Sequence, residues 1–137
     1  MSAVVDASLL VAATTDAGRA GVWAEHVLEQ GGIVAPHIVL VEATNILRRL
    51  ERSKELTRLE AAAAQRDVVR LDIELVAFEP FADRVWELRQ NVTSYDAWYV
   101  AIAEAFHLPL ATLDRRLARA TGPSCRFLTP GRGVRAE

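Results

Sequence analysis

Four carboxylates stand where their neighbours make a carboxylate consequential. Asp6 stops the apolar run Ala3-Val4-Val5, and Asp114 stops Leu110-Ala111-Thr112-Leu113. Asp96 follows Ser94 in the first turn of a long helical pattern. Glu42 has Ile38 and Ile46 one turn on either side, so it shares an inward-facing stripe. A carboxylate on such a stripe needs a partner, because an unpaired buried charge costs several kcal/mol. Four carboxylates aimed at one crevice repel, and like charge raises their pKa values unless a cation intervenes. Hard divalent cations prefer oxygen ligands and keep several waters. An acidic, cysteine-free set therefore points to Mg²⁺ or Mn²⁺, not zinc, and to chemistry that activates water and neutralises charge on a phosphodiester.

Taken singly, each acid also has an ordinary reading. Asp96 suits the positive end of a helix dipole. Asp6 and Asp114 suit turns, where Asp bonds its own backbone. Glu42 can pair with Arg49, two turns further along the same helix.

The elements that must position these residues alternate. Short strands are expected at Ala3–Val5, Ile33–Ala35, Ile73–Phe78, Leu110–Leu113 and Arg126–Leu128. Helices are expected at Leu9–Ala13, Arg19–Gln30, Ile38–Glu51, Leu56–Leu71, Pro80–Arg89, Tyr95–Phe106 and Arg115–Ala120. Ser8 and Ser94 are expected to cap helices, and Pro36 to open one. Short apolar strands separated by helices predict parallel pairing, hence an α/β fold: a three-layer α/β/α sandwich on a mainly parallel central sheet. In such sheets the functional crevice lies beyond the carboxyl ends of the strands, which is where Asp6 and Asp114 fall.

The chain has 137 residues, one domain's worth. Residues 1–129 read as that domain, and the Gly-rich polar segment 130–137 as a flexible tail. Lys+Arg 16 against Asp+Glu 18 leaves −2, which excludes a strongly basic nucleic-acid-coating protein but not a local basic patch. Cys125 alone excludes an internal disulfide and a multi-cysteine zinc site. No run has the ~20 apolar residues of a membrane span, and no secretory leader is evident. A soluble, cytoplasmic protein is expected.

The segments Val4-Val5-Asp6-Ala7-Ser8, Val41-Glu42-Ala43-Thr44-Asn45-Ile46-Leu47-Arg48-Arg49, Tyr95-Asp96-Ala97-Trp98-Tyr99-Val100-Ala101-Ile102-Ala103 and Leu110-Ala111-Thr112-Leu113-Asp114-Arg115-Arg116-Leu117-Ala118 together resemble the PIN-domain nucleases. Within that family the chain is most similar to the VapC-type toxins of type II toxin–antitoxin pairs. The resemblance spans the chain and keeps the motif order. It implies a Mg²⁺- or Mn²⁺-dependent endoribonuclease restrained by a small cognate antitoxin. By motif, Asp6, Glu42, Asp96 and Asp114 match the acidic metal site. Ser8 and Thr112 match small hydroxyl positions beside it, and Asn45 matches a polar position one turn after the Glu. The segment from about Leu56 to Val92 matches only in length and helicity.

Arginine dominates the basic residues, Lys54 being the single lysine. Arg115, Arg116 and Arg119 beside Asp114, and Arg49 within a second cluster with Arg48, Arg52, Lys54 and Arg58, are candidates for RNA phosphates. The alternative is a solvated charged face. Trp98, Ile102 and Phe106 form a helical stripe suited to core packing or a homodimer interface, and Trp23 and Trp86 read as core. Leu28, Ile38, Leu47, Leu50, Leu56 and Leu59 are expected to frame a groove for an antitoxin helix. The three histidines fit no H-x-x-x-H spacing.

Two other classes compete. An aspartyl-phosphate phosphatase also carries an Asp after its first strand, but this chain has Ser8 where a second acid is needed and lacks a late lysine. A PIN-like binding module whose acids hold only a structural cation is the third reading, and the intact set of four acids weighs against it.

Overall fold

The computed structural model describes residues 2–131. The elements run β1 (Ala3–Val5), α1 (Ala7–Thr15), α2 (Arg19–Glu29), β2 (Ile33–Pro36), α3 (Val39–Arg52), α4 (Arg58–Arg70) and β3 (Ile73–Val76). A 3-10 turn (Glu79–Phe81) leads into α5 (Ala82–Glu87), α6 (Ser94–Phe106), β4 (Leu110–Ala111), α7 (Arg115–Ala118) and β5 (Phe127–Leu128). Most of segment 130–137 lies outside the described residues; Pro130 within it is buried.

The strands form one sheet in the order β3-β2-β1-β4-β5, every pair parallel. Val4 sits at the centre, opposite Val34 on one side and Leu110 on the other. Crossovers of parallel strands are right-handed. The chain steps outward from β1 to β3, then returns past β1 to β4 and β5, so its crossover helices fall on opposite faces. The packing agrees: α1 touches α2, α3 and α4, whereas α5 touches α6, and α6 lies on β1, β2 and β4. This is the three-layer α/β sandwich expected from the sequence. Reversal of direction between β1 and β4 opens a crevice past their carboxyl ends.

The core is aliphatic. Val4, Val5, Leu9, Leu10, Val39, Val100, Ile102 and Leu110 are fully buried. Helix α6 is buried nearly all round from Tyr99 to Ala103, which explains why its pattern is apolar without a clean polar face.

Several local expectations are corrected. Asp6, not Ser8, caps α1, accepting from Leu9 N at 3.1 Å. Thr93, not Ser94, caps α6, accepting from Asp96 N at 3.2 Å. Both neighbours are good capping types, and only the backbone turn chooses between them. Pro36 ends β2 and pairs with Val76 instead of opening α3; the following amide, His37 N, donates to Val76 O. A proline at a strand end removes no bond the ladder needs. The expected helix Pro80–Arg89 is a 3-10 turn followed by a short α5. Trp86 is not core: it is 66% exposed, with Arg89 stacked 4.4 Å from its ring. Ile102 is buried and so contributes nothing to an outer face. Trp98 and Phe106 instead pack edge-on against Phe78 and Phe81. The six residues expected to frame a groove differ in exposure, Ile38 being half-buried, and of the six only Leu47 lines the cleft between α3 and α4. Leu47 is buried and Leu28, Leu50 and Leu56 pack on the core; Leu59 is 82% exposed.

Candidate active site

Two of the acids arrive at the crevice by capping helices. Asp6 leaves β1 and turns into α1, its Oδ1 accepting from Leu9 N and from Ser8 Oγ at 2.7 Å. Its Oδ2 accepts a short hydrogen bond from Thr112 Oγ1. Thr112 follows β4, is fully buried, and accepts from Asp114 N at 2.9 Å. Asp114 in turn caps α7, its Oδ1 accepting from Arg116 N at 3.0 Å and Leu117 N at 3.1 Å. A chain of short-range bonds thus ties the ends of β1 and β4 together at the switch point of the sheet.

The other two acids project from helices. Asp96 stands in the first turn of α6, and Glu42 in the first turn of α3. Tyr99, on the same face of α6 as Asp96, donates from its hydroxyl to Glu42 Oε1 at 2.5 Å. The alternative pairing of Glu42 with Arg49 is not made among the described residues.

Asp6, Glu42, Asp96 and Asp114 line one crevice of about 250 Å³, together with Ser8, Asn45, Arg49 and Tyr99. Thr112 lies behind Asp6 and reaches it by its hydroxyl. Arg116 borders Asp96 and Asp114 from α7, whereas Arg115 and Arg119 are exposed and do not line the crevice. Among the described residues no three acidic, histidine or cysteine side chains close round a single point as a finished metal cage. The acids share a wall; mutual repulsion keeps such groups apart until a cation stands between them.

The electrostatics carry the same message. Burial pushes the Asp6 carboxyl up, and the Asp114 charge adds to this, against the opposing bonds from Thr112, Ser8 and Leu9. Burial raises Glu42, the Tyr99 bond partly offsets it, and the charges of Asp96 and Asp6 add to the rise. Burial and the Asp114 charge raise Asp96, with Thr93 and Arg116 working the other way. Burial and the neighbouring Glu42 also raise the Tyr99 hydroxyl, so it stays a donor. The donors present are carboxylate, hydroxyl and amide oxygens without thiol or imidazole, a set that fits a hard divalent cation and not a soft one.

Tyr99 is the residue that sequence reasoning quoted without a role. The signal was available: a polar aromatic three residues after Asp96 shares its face, and Glu42 needed a donor.

Comparison with known proteins follows the same lines. The family model described as PIN domain matches residues 3–123. Ribonuclease VapC1 of Mycobacterium tuberculosis is 37% identical over 125 residues, covering 90% of this chain and 94% of its own. Ribonuclease VapC9 of the same organism is 34% identical over 122 residues, covering 89% and 93%. Among solved structures, PAE2754 of Pyrobaculum aerophilum superposes with a TM-score of 0.71 at 23% identity, covering 94% of this chain and 90% of that one. VapBC2 of Rickettsia felis, bound to a DNA fragment from its promoter, gives 0.63 at 17%, covering 94% and 98%. The matched model and the near-full-length relatives place the chain in one family: it belongs to the PIN domains, among the VapC-type ribonucleases.

Proposed function

We propose that the acidic crevice is the active site of an endoribonuclease that acts as the toxin of a toxin–antitoxin pair in the cytoplasm. The carrying observation is that Asp6, Glu42, Asp96 and Asp114 share one crevice at the switch point of the sheet, with no arginine or lysine ion-paired to them among the described residues. Those four side chains would hold Mg²⁺ or Mn²⁺, with Ser8, Thr112 and Asn45 in support. When bound, such a cation supplies charge neutralisation at a phosphodiester and a more acidic water.

The chain's own contributions are orientation and proton handling. Ser8, Leu9 N and Thr112 fix both oxygens of Asp6. Tyr99 fixes Glu42. Among the described residues no backbone amide donates to the Asp96 carboxyl, and its raised pKa suits a proton acceptor for the attacking water. Arg49 in the crevice and Arg116 beside it are placed for flanking phosphates, and Arg115 and Arg119 extend that basic edge. Attack in line by water leaves a 5′-phosphate and a 3′-hydroxyl.

The assay is incubation with total cellular RNA, with Mg²⁺, Mn²⁺ or a chelator, followed by mapping of the ends. Metal-dependent cuts with 5′-phosphate ends are expected. Ends bearing 2′,3′-cyclic phosphate point to attack by the RNA's own 2′-hydroxyl and reject the mechanism.

The antitoxin reading is supported by the Rickettsia felis VapBC2 structure. An arginine delivered by such a partner can pair with Asp6 or Asp96 and silence the crevice. A homodimer is proposed on the general prevalence of two-fold pairing, and a monomer mass by light scattering rejects it. No helix among the described residues is long and apolar enough to cross a membrane.

A further inference from the structure

We infer that the cleft adjoining the acidic crevice is a nucleoside subsite that reads the base next to the scissile phosphate, with the Asn91 amide as the reading group. This rests on the ribonuclease reading above and deepens it.

The cleft has a volume of about 270 Å³, and Asp96 and Asp114 line both it and the acidic crevice. A group seated in the cleft is therefore next to whatever phosphate the acids engage. Its wall mixes the two surfaces a base requires. Leu117, buried at the foot of α7, Val92 and Ala120 offer apolar contact for a ring. Asn91 offers a polar group, while the Thr93 hydroxyl on the same wall is engaged in capping α6. RNA is read chiefly as single strands, by contact with the ring faces and hydrogen bonds to base edges, and a carboxamide presents both donors and an acceptor to such an edge.

Asn91 is exposed at the cleft and its amide is uncommitted. Among the described residues the Asn91 side chain has no hydrogen-bond partner, whereas Asn91 N is anchored to Leu88 O at 3.0 Å. It lies against Gly122, where a Cβ would come within 3.0 Å of Asn91 Nδ2, and Gly122 has φ +111°. Glycine there leaves the space that the amide uses. The Gly122 carbonyl is held by Arg84 Nη2 at 3.1 Å, and Arg84 is itself held by Glu104 at 2.7 Å. The rim is thus pinned to α5 and α6. Arg116 completes the cleft: its guanidinium makes no ion pair among the described residues and is free for an adjacent phosphate.

The experiment compares wild type, Asn91→Ala and Asn91→Asp, each folded by circular dichroism, in two arms. In the first, cleavage of a randomised single-stranded RNA library with Mn²⁺ is sequenced. Wild type is expected to favour particular bases at a position adjoining the cut, and Asn91→Ala to reduce that preference by about tenfold, the worth of one good hydrogen bond. Loss of rate uniform over all sequences, or an unchanged profile, overturns the subsite while leaving the ribonuclease standing. In the second arm, binding of short homopolymeric RNAs to the Asp6→Asn protein is measured with and without Asn91→Ala. A base-dependent loss on Asn91→Ala supports the subsite even where wild type cleaves nothing, the result that removes the ribonuclease reading. Equal affinities for all four homopolymers with and without the amide overturn the subsite.

Discussion

The Tyr99 hydroxyl donates to Glu42 Oε1 across 57 residues of sequence, joining α6 to α3 at the rim of the acidic crevice. Tyr99 is otherwise buried, so its ring is held by the core and its hydroxyl is aimed. A donor that aims a ligand carboxylate changes the site without changing the fold. Tyr99→Phe keeps the ring and removes the bond. Mn²⁺ affinity, read by calorimetry, is expected to fall by about 10-fold, the low end for loss of a group orienting a metal ligand. Thermal stability should change by about 1 kcal/mol or less, since the lost bond is to a half-buried carboxylate. Unchanged Mn²⁺ affinity in a folded variant removes Tyr99 from the site.

Asp6→Asn should abolish RNA cleavage and leave the fold intact. The charge it removes is buried at 8% exposure and is opposed by Asp114. Its deletion therefore relieves a desolvation penalty. The melting temperature in chelator is expected to match or exceed that of wild type. Cleavage at the wild-type rate with Mg²⁺ would show that the acidic crevice is not the active site.

Without divalent metal, stability should depend on pH in a defined direction. Asp6, Glu42 and Asp96 have folded-state pKa values raised above their ordinary ones, first by burial and then by neighbouring charge, that of Asp114 on Asp6 and Asp96 and that of Asp96 and Asp6 on Glu42. Their contribution is fully present below the ordinary carboxylate range, near 4, and is lost as pH rises through the folded values. Glu104 runs the other way. Burial pushes it up, but Arg84 and Ser124 outweigh this and hold it low, so its contribution is lost as pH falls below that range. Scanning calorimetry in chelator should show the melting temperature rising as pH falls from neutral through the raised folded-state range of these acids, and falling again in acid below the ordinary carboxylate range. Saturating Mg²⁺ should remove most of the rise, because it binds the ionised carboxylates of the native state. A melting temperature that falls steadily from neutral pH into acid, with no rise above the ordinary carboxylate range, contradicts the raised pKa values.

Arg84→Ala tests the pinned rim. Arg84 donates Nε to Glu104 Oε1 at 2.7 Å and Nη2 to Glu104 Oε2 and Gly122 O, each at 3.1 Å. Part of this network faces solvent, so a loss of about 1–2 kcal/mol is expected by urea denaturation. Faster amide exchange around Gly122 to Ser124 should accompany it. If exchange there is unchanged, the loop is held by something other than Arg84.

The sequence alone determined the order and kind of the elements. Short apolar runs alternating with helical periods leave little choice but a parallel sheet, and an acid at the end of Ala3-Val4-Val5 or on the Ile38/Ile46 stripe is conspicuous because burial makes it costly. These are properties of neighbours in the chain, so they are legible without coordinates. The Ser8 and Ser94 caps, the Pro36 helix start and the core placement of Trp86 were misread. Each depends on one backbone turn or on which face a distant element covers. Only the tertiary structure brought Tyr99 to Glu42, Thr112 to Asp6, and Asn91 against Gly122 beside the acids. The reversal of strand order between β1 and β4 makes those meetings. It is decided by the handedness of crossovers and the packing of helices on two faces, which no local spacing encodes.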